Sequence, residues 1–230
     1  MKQEMAFSPR LDILPEAQRR LWRELSAVPK EFVLYGGTAL ALHLGHRDSM
    51  DFDFFGRFAL NVPSLENDLP FMSGAKIFQR DKNTLSAIVD RGGPVQVSFF
   101  GVPKIKQLRA PHLAADNGLK IASLLDLAGT KASVIQLRGE PKDYIDIDAL
   151  MRLGNVSLPM ALASARKIYG ASFNPEITLK ALSYFEDEGV KELPEDLKLR
   201  LSGAAREVDL ERLPSLEHDR EYGDDWSLPL

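Results

Sequence analysis

The sequence predicts an α+β protein: a short, mixed and strongly twisted sheet flanked by helices, followed by a helical C-terminal half. Three observations predict it. Short apolar runs, bounded by Gly, Asn and Asp turn residues, fill the chain to about residue 110. From about residue 111, apolar residues recur at spacings of three and four behind Ser, Asn and Pro helix starts. The run Ser49-Met50-Asp51-Phe52-Asp53-Phe54-Phe55 alternates acid and aromatic with the period of a strand. The expected domains are a mixed α/β core over residues 1–110 and a helical domain over residues 111–230.

Residues 15–25 read as a helix, because Leu14, Leu21, Trp22 and Leu25 make one apolar stripe. Residues 31–35 are a short strand that Gly36-Gly37 breaks, and residues 38–44 form a helix ended by Gly45. Residues 50–55 are the second strand, and a helix is expected around residues 64–72. Residues 76–80, 84–90 and 95–100 read as an antiparallel meander turning at Asp81-Lys82-Asn83 and Arg91-Gly92-Gly93. Helices follow over residues 123–137, 141–153, 157–169, 174–187 and 194–208, two of them opened by Ser157 or Asn174 with proline close behind. The tail from Pro214 is polar and unpatterned.

Composition narrows the function. Hydrophobic residues make up 44% of the chain, enough for a core. The net charge of −4, from 29 basic and 33 acidic residues, gives no global reason to bind nucleic acid. Lys104, Lys106 and Arg109 form either a local basic strip or a solvated loop. The absence of cysteine excludes disulfides and thiolate zinc sites. Residues 1–6 lack the apolar core of a signal peptide, and no apolar run approaches the ~20 residues of a membrane helix, so a cytoplasmic protein is expected.

The chemistry concentrates around Asp51 and Asp53. On one strand face their side chains stand about 7 Å apart, and like charges that close call for a cation. Paired carboxylates suit Mg²⁺ held together with substrate phosphates. A calcium loop starting at Asp51 fails at its fifth and twelfth positions, Phe55 and Val62. Gly36-Gly37-Thr38, between a strand and a helix start, leaves backbone N–H groups free for an anion. No dinucleotide or P-loop glycine pattern is present at this turn. Arg47 and Ser49 add a cation and a hydroxyl; His46 joins Arg47 at a pocket rim, while His43, among Leu40, Ala41, Leu42 and Leu44, reads as structural.

Lys131 stands inside an apolar stripe with Leu124, Leu127, Ala128, Val134 and Ile135. Its stem snorkels, or its ammonium meets a buried anion, either Asp146 or a triphosphate. Asp143 suits the first turn of its helix through the dipole, whereas Asp146 points along the apolar side.

Gly36-Gly37-Thr38-Ala39-Leu40 followed by His46-Arg47-x-Ser49-x-Asp51-x-Asp53-Phe54-Phe55 resembles the first motif of the AbiEii/AbiGii-type nucleotidyltransferases, of the DNA polymerase beta-like superfamily. Asp126-Leu127-Ala128-Gly129-Thr130-Lys131 and the run from Arg138 to Asp146 resemble its second half. The likeness spans roughly residues 30–190. It implies a toxin-like enzyme, often half of a toxin–antitoxin pair, that moves a nucleotide from an NTP to an RNA (tRNA included) or a protein. Gly36, Gly37 and Thr38 would hold the triphosphate together with Arg47 and Ser49. Asp51 and Asp53 would bind Mg²⁺ or Mn²⁺, Lys131 would contact phosphates, and Asp143 would be an acid/base or positioning group. The helical half would complete the active site. One departure is clear: where the superfamily places a third carboxylate, this chain has Ser98, with Asp143 or Asp90 as candidate substitutes. Two alternatives stay open, a catalytically inactive nucleotide- or partner-binding relative and a metal-dependent phosphohydrolase using Asp51, Asp53 and His46.

Overall fold

The structure is a computed structural model and describes residues 7–216. The N-terminal hexapeptide and most of the polar tail lie outside them. The chain divides into two compact units. One holds the chain up to Ile105 together with Pro111–Ala122; the other holds Lys106–Ala110 and the chain from Ser123 onward.

The first unit carries α1 (Glu16–Trp22), β1 (Phe32–Tyr35), α2 (Gly36–Leu44), β2 (Asp51–Gly56), α3 (Val62–Asp68), β3 (Lys76–Asp81), β4 (Thr84–Asp90), β5 (Pro94–Gly101), β6 (His112–Leu113) and β7 (Lys120–Ile121). The strands form one mixed sheet in the order β3-β4-β5-β2-β1-β7-β6. The β3-β4-β5 meander is antiparallel, as its turn residues predict. β2 lies between β1, antiparallel, and β5, parallel.

The aromatic half of the β2 pattern builds the core. Phe52 and Phe54 are fully buried. Phe54 stacks on Phe99 at 5.2 Å, Phe32 meets the same ring edge-on, and Trp22 of α1 approaches Phe52 at 6.2 Å. Each such ring contributes about 1.5–3 kcal/mol of burial.

Several element bounds differ from the sequence expectation. The helix starts at Gly36, inside the glycine pair, because Gly36 takes φ +76° and turns the chain at once. The expected 64–72 helix splits into α3 and a 3₁₀ turn at Pro70–Met72, since proline cannot continue the ladder. The two-residue strands β6 and β7 are too short to show alternation and escaped the sequence reading.

The second unit is helical: α4 (Leu124–Val134), α5 (Pro141–Arg152), α6 (Leu158–Tyr169), α7 (Pro175–Ala181) and α8 (Glu195–Glu207). Ser157 and Asn174 cap α6 and α7 as their sequence positions indicate. α7 stops well short of the expected residue 187. Ser183 N–H to Lys180 O and Tyr184 N–H to Ala181 O replace the helical ladder there. Among the described residues, no helix is long and apolar enough to cross a membrane.

α4 and α6 meet backbone to backbone. A Cβ at Gly129 would lie 2.9 Å from Ser164 C and 3.0 Å from Ala165 N, atoms of the α6 main chain. Gly203 in α8 has nothing within 4 Å of the same point. Gly129→Ala is therefore expected to cost about 1–3 kcal/mol through overpacking, and Gly203→Ala to stabilise by about 0.5–1 kcal/mol. Urea unfolding of the two variants checks the opposite signs.

His43 serves the fold, as its apolar setting suggested. Its Nε2–H donates to Ala122 O at 2.9 Å, and its ring packs against Phe7 and His112. Desolvation lowers its pKa from the ordinary 6.5 to about 4. Between these values the unfolded chain binds more protons than the folded one. Stability from this group is whole above pH 6.5 and declines as pH falls towards 4, by up to about 3 kcal/mol. His43→Gln, which can still donate to Ala122 O, is expected to flatten that decline relative to wild type, measured as unfolding free energies at neutral and mildly acidic pH.

Candidate active site

The carboxylate half of the β2 pattern faces away from the core. Asp51, Asp53 and Phe55 are half-exposed, while Phe52 and Phe54 alternate with them and are buried. Both acids thus share a face, as strand geometry requires. β1 pairs Tyr35 with Asp53, and the chain then turns directly into α2. The first turn of α2 consequently lies beside Asp53. A Cβ at Gly36 would fall 2.6 Å from Asp53 Oδ2, so only glycine fits against that carboxylate. Tyr35, at the helix cap, makes no side-chain capping bond.

Gly37 is less constrained, because its φ is not positive and its nearest neighbour is the tip of a flexible side chain. A Cβ there would lie 2.5 Å from Arg47 Nη2 and 3.2 Å from Ser49 Oγ. Thr38 is 1% exposed, and its hydroxyl hydrogen-bonds both Asp51 O and Ser49 Oγ, the latter at 2.9 Å. Gly36, Gly37, Thr38, Arg47, Ser49, Asp51 and Asp53, scattered over 18 positions of sequence, are brought to one place. Of these, the Thr38 side chain is turned inward. Among the described residues, no three His, Cys, Asp or Glu side chains are grouped to hold a metal ion, so His46 does not join the aspartates in such a cluster.

Ser98 stands directly beside Asp53 in the β2–β5 register and is 1% exposed. Ser86 flanks it on β4. Asp90 does not replace a carboxylate there: its Oδ1 accepts from Gly92 N and Gly93 N at 2.8 and 3.1 Å and closes the β4–β5 turn.

In the helical unit, the Lys131 ammonium is buried rather than snorkelled. It lies 2.8 Å from Asp143 Oδ1 and 2.6 Å from Asp146 Oδ2, and both aspartates are fully buried. The helix dipole alone therefore does not account for Asp143. Arg138, about half exposed, reaches Asp143 Oδ2 at 3.2 Å. Its part went unread because it lies in the loop before α5, outside any helical period.

Asp126 was also missed as a structural group. Its carboxylate accepts from Leu108 N, Arg109 N and Ser123 Oγ at 2.7, 3.1 and 2.6 Å, fastening the 106–110 segment to the start of α4. Burial pushes its pKa up, against the pull of those hydrogen bonds.

The chain matches the family model described as nucleotidyl transferase AbiEii toxin, type IV toxin–antitoxin system, over residues 19–226. It belongs to the AbiEii family. An uncharacterised protein of Aquifex aeolicus is 34% identical over 170 residues, covering 73% of this chain and 80% of that protein. The solved structure of MenT4, a nucleotidyltransferase toxin from Mycobacterium tuberculosis H37Rv, is similar with a TM-score of 0.56 and 15% identity. That match covers 84% of this chain and 83% of MenT4, and it speaks for the fold. This AbiEii chain is thus a nucleotidyltransferase of the toxin–antitoxin class.

The Lys131 cluster has a stability consequence in this AbiEii protein. Removing one partner of a buried ion pair strands the others, at a cost of about 3–5 kcal/mol. Lys131→Met is expected to lose that much. Adding Asp143→Asn and Asp146→Asn should recover part of it. Thermal melts of the single and triple variants test this.

Proposed function

We propose that this AbiEii enzyme transfers a nucleoside monophosphate from an NTP to an acceptor hydroxyl on an RNA, tRNA included, or on a protein, and that an antitoxin partner restrains it. The observation that carries the reading is the close approach of Asp53 to Gly36, which sets a carboxylate pair beside the first turn of α2.

Asp51 and Asp53 fit a divalent cation, Mg²⁺ or Mn²⁺. They are hard oxygen donors on one face, half-exposed, and no side chain at position 36 screens them. When bound, such an ion neutralises phosphate charge as it develops and orients the phosphates. The remaining work falls to the chain. The backbone N–H of Gly37, in the first turn of α2, receives the leaving phosphates, while Thr38 is too deeply buried to join it. Arg47, held over Gly37, adds a fixed positive charge for the triphosphate, and Ser49 borders it. The acceptor oxygen attacks the α-phosphorus and pyrophosphate departs, with positioning and electrostatics supplying most of the acceleration.

Lys131 as a phosphate contact rests on the family motif. Its ammonium carries three N–H groups, of which Asp143 and Asp146 take two. Asp143, between Lys131 and Arg138, suits holding that lysine better than accepting a proton.

Labelled NTP, total RNA and Mg²⁺ provide the test. Wild type should label an acceptor, and Asp51→Asn or Asp53→Asn should lose at least about a hundredfold of the rate with unchanged melting temperature. Full labelling by Asp51→Asn would sink the proposal. Release of free nucleoside monophosphate with no labelled acceptor would instead favour the phosphohydrolase reading.

A further inference from the structure

We infer that the Thr38 and Ser49 side chains are positioning residues, a two-hydroxyl latch that fixes the carboxylate strand to the phosphate-binding helix start, rather than ligands of the triphosphate. The inference rests on the function proposed above and adds a division of labour within its site.

Thr38 is the third residue of α2 and 1% exposed, so its hydroxyl has no access to a ligand. That hydroxyl bonds the main-chain carbonyl of Asp51 and lies 2.9 Å from Ser49 Oγ. A hydroxyl owns one proton. With a carbonyl as one neighbour, Thr38 must donate to Asp51 O, and Ser49 must then donate to Thr38. Ser49 Oγ in turn sits 3.2 Å from where a Cβ of Gly37 would be.

The need for a hydroxyl at position 38 follows from strand geometry. β1 pairs with β2 only as far as Tyr35 opposite Asp53. Beyond that point the chain has become α2, and β1 offers no N–H to Asp51. A side-chain donor from the first turn of the helix takes that place, extending the ladder by one bond. The same bond sets the distance between the Asp51 backbone and the N–H of Gly37. Valine at 38 keeps the shape and loses the bond, and serine keeps the bond.

The test uses the full-length protein and reads Mn²⁺ binding by calorimetry beside nucleotide transfer. Thr38→Val is expected to melt within a few degrees of wild type, to bind Mn²⁺ about tenfold more weakly and to transfer about 10–100-fold more slowly, with Thr38→Ser rescuing both. Ser49→Ala leaves the Thr38–Asp51 bond in place. It should weaken Mn²⁺ binding about twofold to threefold alone and add nothing on top of Thr38→Val. This variant decides the matter if Thr38→Val fails to fold: an unchanged Mn²⁺ affinity in Ser49→Ala then overturns the latch. Wild-type Mn²⁺ affinity in a folded Thr38→Val, or failure of Thr38→Ser to rescue, also overturns it. Asp51→Asn separates the two levels. If it binds Mn²⁺ like wild type, the carboxylate site itself is wrong. If it loses Mn²⁺ while Thr38→Val does not, only the latch is wrong.

Discussion

The pairing of β1 with β2 is the constraint on which the first unit depends. Tyr35 lies opposite Asp53, and Leu34 opposite Phe54. A slip of one residue would exchange the two faces of β2, sending Asp51 and Asp53 into the aromatic core and bringing Phe52 and Phe54 out. The fully buried pair Phe52 and Phe54 resists that exchange, since each ring would lose its burial while two carboxylates would be desolvated. The register that protects the core therefore also holds the acids on the open face. Because β1 ends at Tyr35, the same register delivers the first turn of α2 to Asp53, and glycine at 36 removes the one atom that would collide.

Charge is handled differently in the two units. Asp51 and Asp53 are only partly buried and stand on the face of β2 that meets Gly36. Asp143 and Asp146 are fully buried, and Lys131, bridging both, makes that burial tolerable together with Arg138 on Asp143. Buried ion clusters add little net stability over an apolar core, but they are unforgiving of a missing member. Asp148 repeats the pattern at α8, with Arg200 gripping both its oxygens at 2.7 and 3.0 Å and Arg152 at 2.8 Å. Three buried aspartates on α5, each matched to a cation from elsewhere in the helical unit, specify how that helix sits among its neighbours.

Much of this was legible from the residues. The alternation of Asp51, Phe52, Asp53 and Phe54 carried the face assignment, because period two leaves no other choice for a strand. The apolar stripe around Lys131 announced a buried cation, although spacing alone could not choose between a carboxylate and a triphosphate. What stayed hidden lacked a period. Arg138 lies in a loop, β6 and β7 are two residues each, and Asp126 reaches backward to the N–H groups of Leu108 and Arg109. The inward turn of Thr38 was invisible for a related reason: it depends on where β1 stops, and a strand end is the least determined feature of a sequence pattern.

The position of Ser98 bears on how the proposed transfer loses its proton. A carboxylate at 98 would be buried beside Asp53, and its charge would add to the two already on β2. Serine there, with Ser86 next to it, keeps the row neutral. The acidic charge of this sheet face then comes from β2 alone, with Arg47 close by at Gly37. That arrangement leaves no base on β5, and Asp90 is committed to its turn. In the proposed transfer the proton of the attacking hydroxyl is therefore not taken up by a carboxylate on β5 or by Asp90.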